Sequence, residues 1–312
     1  VVIQEHHMRE ISQREIVAIW EKHGIRCGVD GDDGEFHITG VTFENTNEAD
    51  SVCHLVPLTR FATAVQFEKS DVTQNGFAHF RGHPNLEEVF LNELDIPGAS
   101  YEILTTLPNL KVLGCSPLRD TQIALSWIGQ LTQLTRLRIS DSKVVDADLS
   151  SLIHLRDLTE LDISSTDVDS GLTIVSQFPN LVWLKLSSTR VSTKTLETVC
   201  RAKTVRKLFL EHVSVENGGL AAISQLDRLQ VLGLRGDKID ARGIEHLSKL
   251  SSLKTLYIDD LKITAELVAA FRQMTQLDRI WCKRAKFEPH IGKALKKALP
   301  ECDVELFDKP QK

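Results

Sequence analysis

Apolar residues recur along the chain in one frame, LxxLxL, in which two positions flank a polar one and a third precedes them by three. It reads Leu86/Val89/Leu91, Leu110/Leu113/Cys115, Leu134/Leu137/Ile139, Leu158/Leu161/Ile163 and Leu181/Leu184/Leu186. Downstream it continues as Val205/Leu208/Leu210, Leu229/Leu232/Leu234, Leu253/Leu256/Ile258 and Leu277/Ile280/Cys282, and upstream as Ala62/Val65/Phe67 and Ile38/Val41/Phe43. The middle residues fall at 41, 65, 89, 113, 137, 161, 184, 208, 232, 256 and 280, so every step is 24 except one of 23. Val304 and Leu306 form a degenerate twelfth unit.

Each frame predicts a short strand, because side chains alternate across a strand: Leu161 and Ile163 point to one face, Glu160 and Asp162 to the other. A parallel neighbour requires a crossover, and stretches such as Ile244, Leu247 and Leu250 supply a short amphipathic helix for it. No single unit can bury its own apolar side, so the core has to come from stacking.

The frame resembles that of leucine-rich repeat proteins over residues 36 to 306. Segments such as Thr166-Asp-Val168-Asp-Ser-Gly171-Leu172 and the opening stretch at 14 to 24 resemble the Thr-x-Val-x-x-x-Gly-Leu variety of planctomycete-type bacterial proteins. The fold that the resemblance implies is α/β: a right-handed solenoid or horseshoe of 11 to 12 repeats, its parallel sheet on the concave face and its short helices on the convex one. The ninth position of many such repeats is an asparagine that satisfies backbone groups at the turn. Ser142, Thr166 and Thr189 can substitute through their hydroxyls. Val213, Asp237, Leu261 and Ala285 stand there later, and the apolar ones predict less regular turns.

The ends need caps. Ile11, Ile16, Ile19 and Trp20 share one helical stripe, so residues 9–23 are expected to form an N-terminal cap helix, with Gly24 closing it. A hairpin follows, Ile25 to Val29 and Phe36 to Thr42 around Asp30-Gly31-Asp32-Asp33-Gly34-Glu35, which completes a capping region over 1–35. That turn lacks the ligand pattern of a calcium loop. A C-terminal cap helix is expected near 290–299, before Pro300, with 307–312 a tail.

Composition is that of a folded globular chain, 42% hydrophobic and 26% charged, and no apolar run is long enough for a membrane span. The net charge of −6 disfavours nucleic acid as partner. It hides an imbalance: 13 Lys and Arg stand against 27 Asp and Glu over residues 1–179, and 24 against 16 over 180–312. Six scattered cysteines show no metal-ligand spacing, predict free core thiols and lean towards a reducing, cytoplasmic setting. The planctomycete-type resemblance implies the alternative, an exported or anchored protein, and a start at Val1 leaves room for an upstream segment. His79 and His83 read as loop histidines, and Arg235-Gly236-Asp237 as the end of a strand.

No nucleophile, phosphate-loop or dinucleotide motif occurs, so no catalytic residue, metal site or cofactor is assigned. The positions beside the second apolar residue of each frame face outwards. In the first half they are Gly40, Thr42, Ala64, Gln66, Glu88, Phe90, Val112 and Gly114, then Arg136 and Arg138 with Glu160 and Asp162. In the second they include Trp183, Lys185, Lys207, Phe209, Gly233, Tyr257, Arg279 and Trp281, with Arg235 and Lys283 just beyond. Phe209, Gly233, Tyr257 and Trp281 should form a column on consecutive strands with a notch at the glycine. Aromatic and arginine side chains dominate binding hot spots. The expectation is a non-enzymatic interaction module that holds an extended, acidic protein or peptide on Trp183, Lys185, Lys207, Phe209, Arg235, Tyr257, Arg279, Trp281 and Lys283. Carbohydrate or small-ligand binding on the aromatic column, and substrate recruitment within a larger enzyme assembly, are the alternatives. Oligomeric state is not encoded in any of these features.

Overall fold

The computed structural model describes residues 11–31, 36–46 and 48–307. Most of the Asp30–Glu35 turn, the first ten residues and the tail beyond Phe307 lie outside them. Chain contacts form two compact units, residues 1–144 with 151–157 and residues 145–150 with 158–312.

The first unit opens with helix α1 (Gln13–Glu21), started by a capping box: Ser12 Oγ accepts from the Glu15 backbone N–H at 3.3 Å, while the Glu15 carboxylate accepts from the Ser12 N–H at 2.8 Å. Its buried face is Ile16 and Trp20, and the Trp20 indole donates to the Val52 carbonyl at 3.1 Å. Strands β1 (Ile25–Asp30) and β2 (His37–Glu44) pair antiparallel, with Cys27 opposite Val41. From β2 onwards pairing is parallel, through β3 (Ala64–Glu68), β4 (Glu88–Asn92), β5 (Val112–Ser116) and β6 (Arg136–Arg138). Register follows the sequence frame: Val41, Val65, Val89, Leu113 and Leu137 lie side by side, none more than 4% exposed. Phe43 and Phe67 stack at 4.7 Å beneath them, and Phe67 meets Phe80 edge-on.

The second unit repeats the arrangement in β7 (Glu160–Asp162), β8 (Trp183–Lys185), β9 (Lys207–Leu210), β10 (Val231–Arg235), β11 (Thr255–Asp259), β12 (Arg279–Cys282) and β13 (Asp303–Leu306). Leu161, Leu184, Leu208, Leu232, Leu256, Ile280 and Val304 are in register and at most 5% exposed. The expected twelfth unit is thus a paired strand. At roughly 25 cal/mol per Å2 a fully buried leucine contributes about 1.5–3 kcal/mol, so this ladder and its neighbours stabilise the stack more than any polar contact.

The crossovers depart in part from the expected helices. Four in the second unit are single seven-residue α-helices, Thr193–Val199, Asn217–Ile223, Ala241–Leu247 and Ala265–Phe271, but Ser170–Gln177 and, in the first unit, Gly98–Thr106 are 310 turns. Gly171 sits so close to the preceding loop that a Cβ would stand 2.7 Å from Asp146 Cα. The last helix, Pro289–Ala298, turns Gly292 and Leu295 inwards.

Irregularity at the ninth position also falls elsewhere than expected. The residue before it adopts positive φ in nearly every unit, among them Asp141, Ser165, Ser188, His212, Asp260 and Arg284. Thr166 and Thr189 hydroxyls donate to the Ile163 and Leu186 carbonyls at 2.7 and 2.6 Å. Where Val213, Leu261 or Ala285 replaces them the turn persists, because the apolar side chain is buried and backbone bonds such as Val213 N–H to Leu210 carbonyl, 3.1 Å, close it. The exceptions are Pro117–Leu118 and Gly236–Asp237, where positive φ is absent; Asp237 is exposed.

Carboxylates tie successive crossovers together. Asp146 accepts from the Asp169 N–H at 2.7 Å, and Asp169 from the Ser192 N–H at 2.9 Å and the Thr195 hydroxyl. Burial pushes the Asp169 carboxyl up, but the bonds from Thr195 and Ser192 outweigh it and hold it below the ordinary aspartate value. Since the folded value lies under the unfolded one, the resulting stability is complete above about pH 4 and is lost as pH falls through the folded value. Asp169→Ala should cost about 1–3 kcal/mol at pH 7 and flatten the acid limb of thermal unfolding measured between pH 7 and 3.

Candidate functional site on the strand face of the second unit

Outward side chains of β8 to β12 form three rows, each set by the parallel register. The first runs Trp183, Lys207, Val231, Thr255, Arg279; the second Lys185, Phe209, Gly233, Tyr257, Trp281. A third row at the strand ends alternates in charge, Glu211, Arg235, Asp259, Lys283, with Arg235 and Asp259 in register.

The predicted aromatic column exists, but the notch does not. A Cβ built at Gly233 would stand 2.8 Å from the Phe209 ring and overlap the Glu211 carboxylate, so both side chains already lean over the glycine. Phe90 covers Gly114 in the first unit in the same way. An aromatic ring laid over a strand glycine shields backbone that the missing side chain leaves bare. The space that remains is an open pocket of about 450 Å3 between Phe209, Tyr257 and Trp281, bounded by Glu211, Asp259, Arg279 and Lys283.

Five of the nine residues singled out from sequence, Phe209, Tyr257, Arg279, Trp281 and Lys283, therefore converge. Trp183 packs on Phe209 from the neighbouring strand at 5.7 Å, and Trp281 on Phe307 at 5.1 Å. Arg235 turns away: its Nε lies 3.3 Å from Asp260 and 3.4 Å from Asp237. The Arg235-Gly236-Asp237 tripeptide is accordingly closed on itself by an ion pair. Lys185 faces Asp162 at 3.5 Å, and Arg279 faces Asp303 at 3.3 Å. Among the described residues no carboxylate oxygen lies within ion-pair distance of the Lys207 or Lys283 ammonium.

Sequence reasoning missed Glu211 and Asp259, since from the row just beyond the strands it took only the basic members, Arg235 and Lys283. The same spacing carries both carboxylates. Ser187 Oγ donates to Glu211. Asp259 accepts from the Lys283 N–H at 3.3 Å and, through its other oxygen, from Arg284 Nη2 at 3.2 Å. Arg284 also donates to both oxygens of Asp260, at 2.7 and 3.0 Å, and this guanidinium, with Arg235 and Lys286 adding to it, holds the Asp260 carboxyl below the ordinary value against partial burial.

Other chemistry is scarce. His83 lies in a loop, as expected, but is buried there: its Nε2 is 3.0 Å from the Thr59 carbonyl, and burial lowers its pKa. The six thiols are free; four are buried, and burial pushes Cys53 and Cys282 up to about 12, far from the thiolate range. A larger hollow of about 650 Å3, at the starts of the last two helices, opposes Lys262 and Lys286 with Glu266 and Glu288 and contains one aromatic ring, Phe287. No described helix is long and apolar enough to cross a membrane.

An internalin from Listeria monocytogenes superposes with a TM-score of 0.62 at 15% identity, over 95% of this chain and 94% of that one. TLR13 in its complex with ssRNA13 superposes at 0.54 and 17% identity, over 85% of this chain and 42% of that one. No protein-family profile and no curated protein sequence matches.

Arg284 should prove structural and Lys207 dispensable. Arg284→Ala leaves two adjacent, mostly covered carboxylates without their shared cation and should cost about 1–3 kcal/mol in urea unfolding, whereas Lys207→Ala should stay within about 0.5 kcal/mol. At 15% and 17% identity these superpositions speak for architecture alone, and the architecture is that of a leucine-rich repeat protein.

Proposed function

We propose that the chain is a recognition module without catalytic function, which holds an extended protein or peptide segment across the strand face of β8 to β12. The observation that carries this is the convergence of Phe209, Tyr257 and Trp281 on one open pocket rimmed by charged groups. Soluble proteins seldom leave aromatic residues together on an outward sheet face, and buried aromatic anchors within a charged rim are the usual composition of a hot spot. The internalin and TLR13 neighbours support recognition as the general use of such a scaffold, and the ligand named for TLR13 is an RNA. Here Glu211 and Asp259 beside the aromatics oppose a phosphate backbone, which favours protein over nucleic acid.

The acidic partner expected from the sequence becomes narrower, since Lys185, Arg235 and Arg279 each already face a carboxylate. Lys207 and Lys283 are the basic groups that this leaves for it. A second use, binding of a carbohydrate or other small ligand, draws on the same pocket, whose volume suits one. Planctomycete-type origin rests on the Thr-x-Val-x-x-x-Gly-Leu segments, and a reducing compartment on the free thiols.

Affinity capture from the source lysate, read by mass spectrometry, tests the assignment. A partner retained by the wild type should be lost from the Phe209→Ala/Tyr257→Ala/Trp281→Ala variant while its melting curve stays within a few degrees. Capture of the same partner by both, or collapse of the variant's stability, would mean that the aromatics serve the sheet. Salt-insensitive binding of a sugar would select the small-ligand use.

A further inference from the structure

We infer that the segment bound on this face is bipolar: a basic residue lies over Glu211 at the β9 side, an acidic one over Lys283 at the β12 side, and an apolar or aromatic one enters the pocket between them. This rests on the assignment of the strand face as a docking surface and specifies the chemistry of its ligand.

The inference comes from which charges of the third row are already engaged. Arg235 is drawn back by Asp237 and Asp260. Asp259 is already paired with Arg284 and accepts from the Lys283 N–H through its other oxygen. The two ends of the row differ. Glu211 receives a hydroxyl from Ser187, and among the described residues no lysine, arginine or histidine nitrogen lies within ion-pair distance of it; the Lys283 ammonium has no carboxylate. Both border the same pocket.

Glu211 lies at the end of β9 and Lys283 at the end of β12, three strand steps apart, or about 14 Å at roughly 4.8 Å per step. An extended chain rises about 3.3 Å per residue, so a segment crossing the strands brings residues four apart over these two groups. The residue midway between them lies between β10 and β11, beside Tyr257, with Phe209 and Trp281 to either side. A uniformly acidic segment would set a like charge against Glu211, which leans over Gly233 and is only partly hydrated. Such like-charge contacts reject partners more effectively than single ion pairs attract them, so the pair sets the direction in which the segment lies.

Phage-displayed random heptapeptides, selected on the wild type, on the Glu211→Lys/Lys283→Glu variant and on the Phe209→Ala/Tyr257→Ala/Trp281→Ala variant, test this, with circular dichroism confirming that each variant folds. Wild-type selection should enrich peptides with Lys or Arg and Asp or Glu four positions apart, in one order, around an aromatic or aliphatic residue. The charge-swapped variant should enrich the opposite order and bind the wild-type peptides at least about ten-fold more weakly. Uniformly acidic peptides from the wild type, or the same peptides from wild type and swapped variant, would overturn the bipolar ligand and leave the strand face as the site. Enrichment of the same peptides by the alanine variant, or none by the wild type above it, would overturn the strand-face assignment and this inference together.

Discussion

Lateral contact between equivalent apolar residues of successive repeats is the interaction on which everything else depends. In the second unit the ladder from Leu161 to Val304 fixes the register of seven strands, and register alone decides which side chains face out together. A one-residue slip in any strand would send its leucines to solvent and its outward residues into the core, so the buried pattern enforces the surface one. Phe209, Tyr257 and Trp281 share one outward row because Leu208, Leu256 and Ile280 share one inward row.

Polar groups refine this framework. The Asp146 and Asp169 carboxylates satisfy N–H groups that the short crossovers leave open, and these bonds outweigh burial and hold both carboxyls below the ordinary aspartate value. The strand ends carry a denser network, in which Arg284 joins Asp259 to Asp260 and Asp260 joins Arg284 to Arg235. That network withdraws two charged side chains, Arg235 and Asp259, from the face beside it. The proposed recognition is thus left to those that the fold does not consume.

The ladder was legible in the sequence because burial in every repeat imposes the same requirement at the same spacing, and twelve unit frames agree on it. Crossover type was not: the apolar pattern of Leu172, Ile174 and Val175 serves a 310 turn as well as an α-helix. Turn regularity was misjudged for a related reason, since Val213 and Leu261 serve the turn by being buried rather than by hydrogen bonding. At the candidate site the positions of the aromatics were readable from period two, while the filled glycine notch, the withdrawal of Arg235 and the presence of Glu211 and Asp259 depend on side-chain direction at strand ends, which spacing does not encode.

In the proposed function the strand face of the second unit, rather than its helical side, meets the partner. Lysine cross-linking of a captured complex, read by mass spectrometry, measures this directly. Cross-links from the partner to Lys207 and Lys283, with few to Lys194, Lys249 and Lys293 on the crossovers and the terminal helix, are the predicted result. Cross-links concentrated on Lys194, Lys249 and Lys293 would contradict it.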